Sequence, residues 1–94
     1  PKGQLVQGPQ LEEEGKQIVR QVKEIVAEFG DIGSCHHIEA YPNAGKWTMS
    51  MHCRVPGELS LAEAHRISSE VEEKLRADIP ALDRIIIHTE PETR

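Results

Sequence analysis

Lys46-Trp47-Thr48-Met49-Ser50-Met51-His52-Cys53-Arg54-Val55 decides the fold. Trp47, Met49, Met51, Cys53 and Val55 alternate with Thr48, Ser50, His52 and Arg54, the two-residue period of a strand with one buried and one polar face. Just before it, Pro42-Asn43-Ala44-Gly45 reads as a turn, and residues 34 to 41 as the strand leading into it. A hairpin centred on Ala44 sets His36 opposite His52, Cys35 opposite Cys53 and Tyr41 opposite Trp47. A single bulge would shift these pairings by one residue. Pro56-Gly57 ends the hairpin.

Outward from the hairpin, the period changes from two to helical. Ile18, Val22, Ile25, Val26 and Phe29 form the stripe of a first helix, expected from Leu11 to Gly30 with Glu12, Glu13 and Glu14 in its first turn. Ser60-Leu61-Ala62-Glu63 is a capping box, and the helix it opens runs to about Ala77 with Leu61, Ala64, Ile67, Val71 and Leu75 inward. After Pro80, the triplet Ile85-Ile86-Ile87 predicts a third strand covered on both faces. The order helix, strand, strand, helix, strand is an α+β open-faced sandwich, with both helices on one face of a three-stranded sheet. The other face has no cover from within the chain, so a homodimer is the expected completion. Residues 1–10, with two Gly and two Pro, read as a linker, residues 11–91 as the domain and residues 92–94 as a tail.

The 94 residues carry 37% apolar and 3% aromatic side chains, which predicts a thin aliphatic core of the kind often stabilised by a metal or a partner subunit. A net charge of −5 disfavours nucleic acid and anionic membranes as partners. No run approaches the length that spans a bilayer, and the N-terminal residues lack the apolar stretch of a signal peptide. Cys35 and Cys53, on the face opposite His36 and His52, are expected as reduced thiols in a cytosolic protein rather than a disulfide.

Four of the five histidines fall where this fold can gather them. His36 and His52 face each other across one ladder, and cross-strand neighbours lie within reach of one cation. His88-Thr89-Glu90 puts an imidazole and a carboxylate on one side of an extended segment. His65 lies in the second turn of the second helix, just off its buried stripe. Imidazole nitrogen and carboxylate oxygen are the donors that zinc and similar divalent ions prefer, and a glutamate beside two such pairs can bridge two ions. Taken singly, each histidine reads as an ordinary hydrogen-bonding group. His37 alternates away from His36 and is expected on the helix side, and Met49 and Met51 as core. No phosphate loop, nucleophile elbow or HExxH is present, so no enzyme is expected.

These residues together resemble the cytoplasmic C-terminal domain of the cation diffusion facilitator, or cation efflux, transporters. The resemblance spans about residues 11–91. It rests on Gly33-Ser34-Cys35-His36, on Thr48-Met49-Ser50-Met51-His52, on Leu59-Ser60-Leu61-Ala62-Glu63-Ala64-His65 and on Ile86-Ile87-His88-Thr89-Glu90-Pro91. Leu5-Val6-Gln7-Gly8-Pro9 is similar to the linker after the family's last membrane helix. The resemblance implies a ferredoxin-like, metallochaperone-like fold and a V-shaped homodimer at the cytosolic membrane face. It implies divalent metal, typically zinc, bound between protomers and promoting transport. His36, His52, His65, His88 and Glu90 match the family's metal-binding positions, with Glu90 where Asp is common. Two further readings compete: a stand-alone metal buffer or chaperone, and a purely structural dimerisation domain. Whether the reading frame continues upstream into membrane helices separates the first of these from a transporter domain.

Overall fold

A computed structural model describes residues 8–92. Its elements follow the expected order: α1 (Gly8–Val26), β1 (Ser34–Asn43), β2 (Lys46–Val55), α2 (Leu61–Asp78) and β3 (Leu82–Pro91). The sheet runs β1-β2-β3, so the alternating strand is central. It pairs antiparallel with β1 and parallel with β3. Because α2 provides the crossover between β2 and β3, those strands can run in the same direction.

Both helices lie on the face that carries Trp47, Met49, Met51, Cys53 and Val55, all buried. From α1 the core receives Ile18, Val22, Ile25 and Val26, and from α2 Ile67, Val71 and Leu75. These are the three- and four-residue steps that keep side chains on one side of a helix. Gly15 brings α1 onto the sheet: a Cβ there would lie 3.2 Å from two ring carbons of Trp47.

Several boundaries differ from the sequence reading. α1 begins at Gly8, so Gly8, Pro9 and Gln10 are helical rather than linker. Pro9 is tolerated because first-turn N–H groups have no partner within the helix. The Glu12 to Glu14 run consequently falls beyond the first turn, which holds no acidic residue. The rest of the expected linker, residues 1–7, lies outside the described residues, as do residues 93 and 94 of the expected tail. At its other end α1 stops at Val26, before Gly30, in tightened turns from Glu28 N–H to Ile25 and Phe29 N–H to Val26. Phe29 still packs against the core.

α2 is capped as its sequence predicts. Ser60 Oγ accepts from Glu63 N–H at 3.1 Å, and the Glu63 carboxylate accepts from Ser60 N–H at 3.0 Å. Leu61, expected in the buried stripe, is 91% exposed, because buried contact in α2 starts only at Ile67. In β3 the described residues cover the isoleucine triplet on one face only. Ile85 is buried and Ile87 packs against the core, whereas Ile86 pairs with Ser50 on the open face.

The hairpin closes through Ala44 (φ 52°) and Gly45 (φ 84°), two left-handed residues as in a type I′ turn. His36 pairs with His52 and Cys35 with Cys53, but Glu39 then pairs with Ser50 and Tyr41 with Thr48. Tyr41 therefore does not face Trp47, whose partner is Pro42. Two residues, His37 and Ile38, oppose Met51 alone, which is a β-bulge.

Candidate metal centre

The central strand and its two neighbours bring one small group of donors to the open face of the sheet. His36 and His52 are direct cross-strand partners on β1 and β2. On the other side, His88 pairs with His52 and Glu90 with Arg54, so Glu90 is the diagonal neighbour of His52. The Glu90 carboxylate leans back over β2. One oxygen lies 2.8 Å from His52 Nδ1, and the other lies 3.4 Å from His36 Nε2.

His36, His52 and Glu90 each offer a ligand atom, and these atoms lie within 4.8 Å of one another. All three residues are half-buried. Hydrogen bonding to His52 first, and then the charges of His36, His52 and Arg54, hold the Glu90 carboxyl below the usual carboxylate range. A carboxylate is anionic wherever imidazoles are neutral, the state in which both groups can donate to a cation.

His88 borders this group, its ring 4.9 Å from that of His52, although it is not one of the three convergent donors. His65 stands exposed on α2, in the helical layer, and is not among them either. His37 departs from the sequence reading. Its left-handed backbone (φ 53°) in the bulge puts its ring 4.9 Å from His36 and 5.3 Å from His52, beside the cluster rather than on the helix side. The spacing of apolar residues carries the signal that would have revealed this. Cys35 and Ile38 both pack toward the core, yet they lie three apart, an odd step that no regular strand can take.

On the helix-facing side of the adjacent rung, where Cys35 pairs with Cys53, the two cysteines are free thiols with their sulfurs 2.8 Å apart. Their mutual hydrogen bond drives the pair in opposite directions, Cys53 above the ordinary thiol range and Cys35 below it. They do not join the imidazole cluster.

Two imidazoles and a carboxylate, half-buried with an open side toward solvent, suit a divalent transition ion that completes its shell with water or another side chain. The family comparison agrees with that chemistry. The cytoplasmic domain of cation efflux proteins matches residues 15–92. The chain belongs to this family. The cation-efflux pump FieF of Pectobacterium atrosepticum is 31% identical over 72 residues, covering 77% of this chain and 24% of the pump. The chain thus spans about a quarter of the length of that curated relative.

Among solved structures, the metal-bound C-terminal domain of the CzcD transporter from Thermotoga maritima superposes with a TM-score of 0.78 at 17% identity, covering 81% of this chain and 88% of that one. The cytosolic domain of a cation diffusion facilitator family protein gives 0.77 at 16% identity, over 81% and 90% of the two chains. A variant of the CTD of MamM gives 0.76 at 15%, over 83% and 98%. At these identities the superpositions establish the ferredoxin-like fold. The family match makes this a cytoplasmic domain. Among the described residues, no helix is long and apolar enough to cross a membrane.

Proposed function

We propose that this domain is the metal-sensing regulatory part of a divalent-cation efflux transporter, acting as a homodimer with zinc as its most suitable ion. The observation that carries this reading is the convergence of His36, His52 and Glu90 within 4.8 Å on a sheet face that no described element covers. These residues would hold the ion, which supplies a charge centre able to draw further donors toward it. His88 is one ring away and is the natural next donor. His65 projects from the helical layer, so a second copy is the source from which it could complete a site between protomers.

A ligand shifts a two-state equilibrium by its differential affinity for the two states. Ions shared between protomers therefore favour the arrangement that gathers their ligands, and occupancy becomes coupled to dimer closure and to transport by the membrane region. The role is binding rather than catalysis. Because imidazole must be neutral to ligate, acidification competes with the metal.

Calorimetric titration of the chelator-treated protein with zinc, repeated on His52→Ala/His88→Ala, tests the proposal. The expected result is a saturable, micromolar-range isotherm that the double substitution abolishes. An absent isotherm, or one unchanged in the variant, would favour a purely structural dimerisation domain.

A further inference from the structure

The thiol pair on the inner face of the hairpin is a second chemical feature, separate from the imidazole cluster. Cys35 and Cys53 are direct cross-strand partners, and such partners have Cα separations of about 4.5–5.5 Å, inside the disulfide range. Their sulfurs already sit 2.8 Å apart, about 0.8 Å beyond a bonded pair. A metal ligated by both thiolates would hold them roughly 3.8 Å apart or more, so the spacing favours a bond between the sulfurs over an ion shared by them.

The two thiols also differ in access. Cys53 is 1% exposed within the core. Cys35 is half-buried and lines a mainly apolar surface cavity of about 230 Å³ with Lys23, Val26, Ile32, Ser34 and Ile38. A small oxidant can reach Cys35 there, and Cys53 is in place to resolve the product before solvent does.

We propose that Cys35 and Cys53 form a peroxide-oxidisable dithiol that closes to a disulfide between β1 and β2 within one protomer. Cys35 Sγ attacks a peroxide oxygen and the O–O bond breaks, giving a sulfenic acid and one molecule of water from hydrogen peroxide. Cys53 Sγ then attacks the Cys35 sulfur and the S–OH bond breaks, releasing a second water. Two thiols are oxidised by two electrons and the peroxide is reduced by two. In a cytoplasmic domain the thiol pool would reverse the bond, as expected of a transient redox-responsive disulfide rather than a structural one. The bond would pin the strands at the rung next to His36 and His52, on the opposite face.

Hydrogen peroxide treatment of the full, chelator-treated chain, read by intact mass and peptide mapping, tests this without reference to metal binding. The expected product has lost two hydrogens, contains a Cys35–Cys53 linked peptide, remains one chain on a non-reducing gel and reverts with dithiothreitol. Its Tm should rise by roughly 10 °C or more, because the link restrains the unfolded chain. Cys35→Ser should leave Cys53 unoxidised. Cys53→Val, which keeps the core filled, should stop Cys35 at a sulfenic acid that dimedone traps. Unreacted thiols, cross-linked chains, or oxygen added to Cys35 with no link in the unsubstituted protein would overturn the proposal.

Discussion

The two faces of the sheet solve opposite problems with alternate residues of the same strands. On the inner face Met49, Met51 and Cys53 are sealed under α1 and α2, and every contact they need comes from within the chain. On the outer face His52 lies one residue away along β2, flanked by His36 on β1 and by His88 and Glu90 on β3, with no described element covering them. Their mutual hydrogen bonds and ion pairs are half-exposed, and such pairs contribute little to stability. The inner face therefore sets whether the domain folds, while the outer face holds donors that only something external can complete. Substitutions on the two faces should have separable consequences.

The largest separation is expected from Met51→Ala. Truncating this fully buried side chain leaves a cavity and should cost about 2–5 kcal/mol in denaturant unfolding, with the zinc affinity of the folded protein retained. Glu90→Gln should do the reverse. It removes the anionic donor and should weaken zinc binding about 100-fold, near 2.7 kcal/mol, while the urea midpoint stays nearly constant. Loss of stability comparable to that of Met51→Ala would show that the outer face is structural.

A smaller contrast comes from the two left-handed residues of the hairpin that are not glycine, Ala44 and His37. Ala44 is at the tip, away from both functional groups, and Ala44→Gly should stabilise the domain by about 1 kcal/mol by relieving its positive φ. His37→Gly should relieve its backbone similarly, but it also removes an imidazole from the edge of the cluster. Any change in zinc affinity unique to that second variant measures what the bulge contributes.

The smallest effect is a pH dependence in the helical layer. The Ser60 backbone N–H, and then its hydroxyl, hold the Glu63 carboxyl below its usual range. A depressed folded-state pKa gives stability that is fully present above the unfolded value. That stability disappears as pH falls through the folded one. The Tm advantage over Glu63→Gln should thus be constant near neutrality and vanish in acid, with zinc binding at neutral pH unaffected.

The fold was largely legible because its elements carry strong periodicity and clear stops. The β2 alternation and the Ser60–Glu63 box placed their elements within a residue of where they lie. The helix N-terminus at Gly8 was hidden because Gly-Pro resembles a linker when seen without the turn that follows. Leu61 and Ile86 misled for a different reason: apolar character shows which residues can be buried, not whether a neighbour reaches them. At the candidate site, the His88–Glu90 spacing was readable, whereas His36 meets His52 through two offsetting features: the turn is centred between Ala44 and Gly45 rather than on Ala44, and the bulge shifts the register back by one residue. The bulge was not read, and with it went the position of His37. Side-chain alternation flips at an extra residue, and only the odd step between Cys35 and Ile38 betrays it. His65 was placed with the others by spacing, yet it stands exposed on α2, in the helical layer away from the three donors.

The most direct test is a crystal structure of the zinc-loaded domain with anomalous scattering collected at the zinc edge. The expected result is a peak bounded by His36, His52 and Glu90 on the open sheet face. Diffraction that shows zinc only elsewhere, with those three side chains turned separately into solvent, would contradict a metal-sensing outer face.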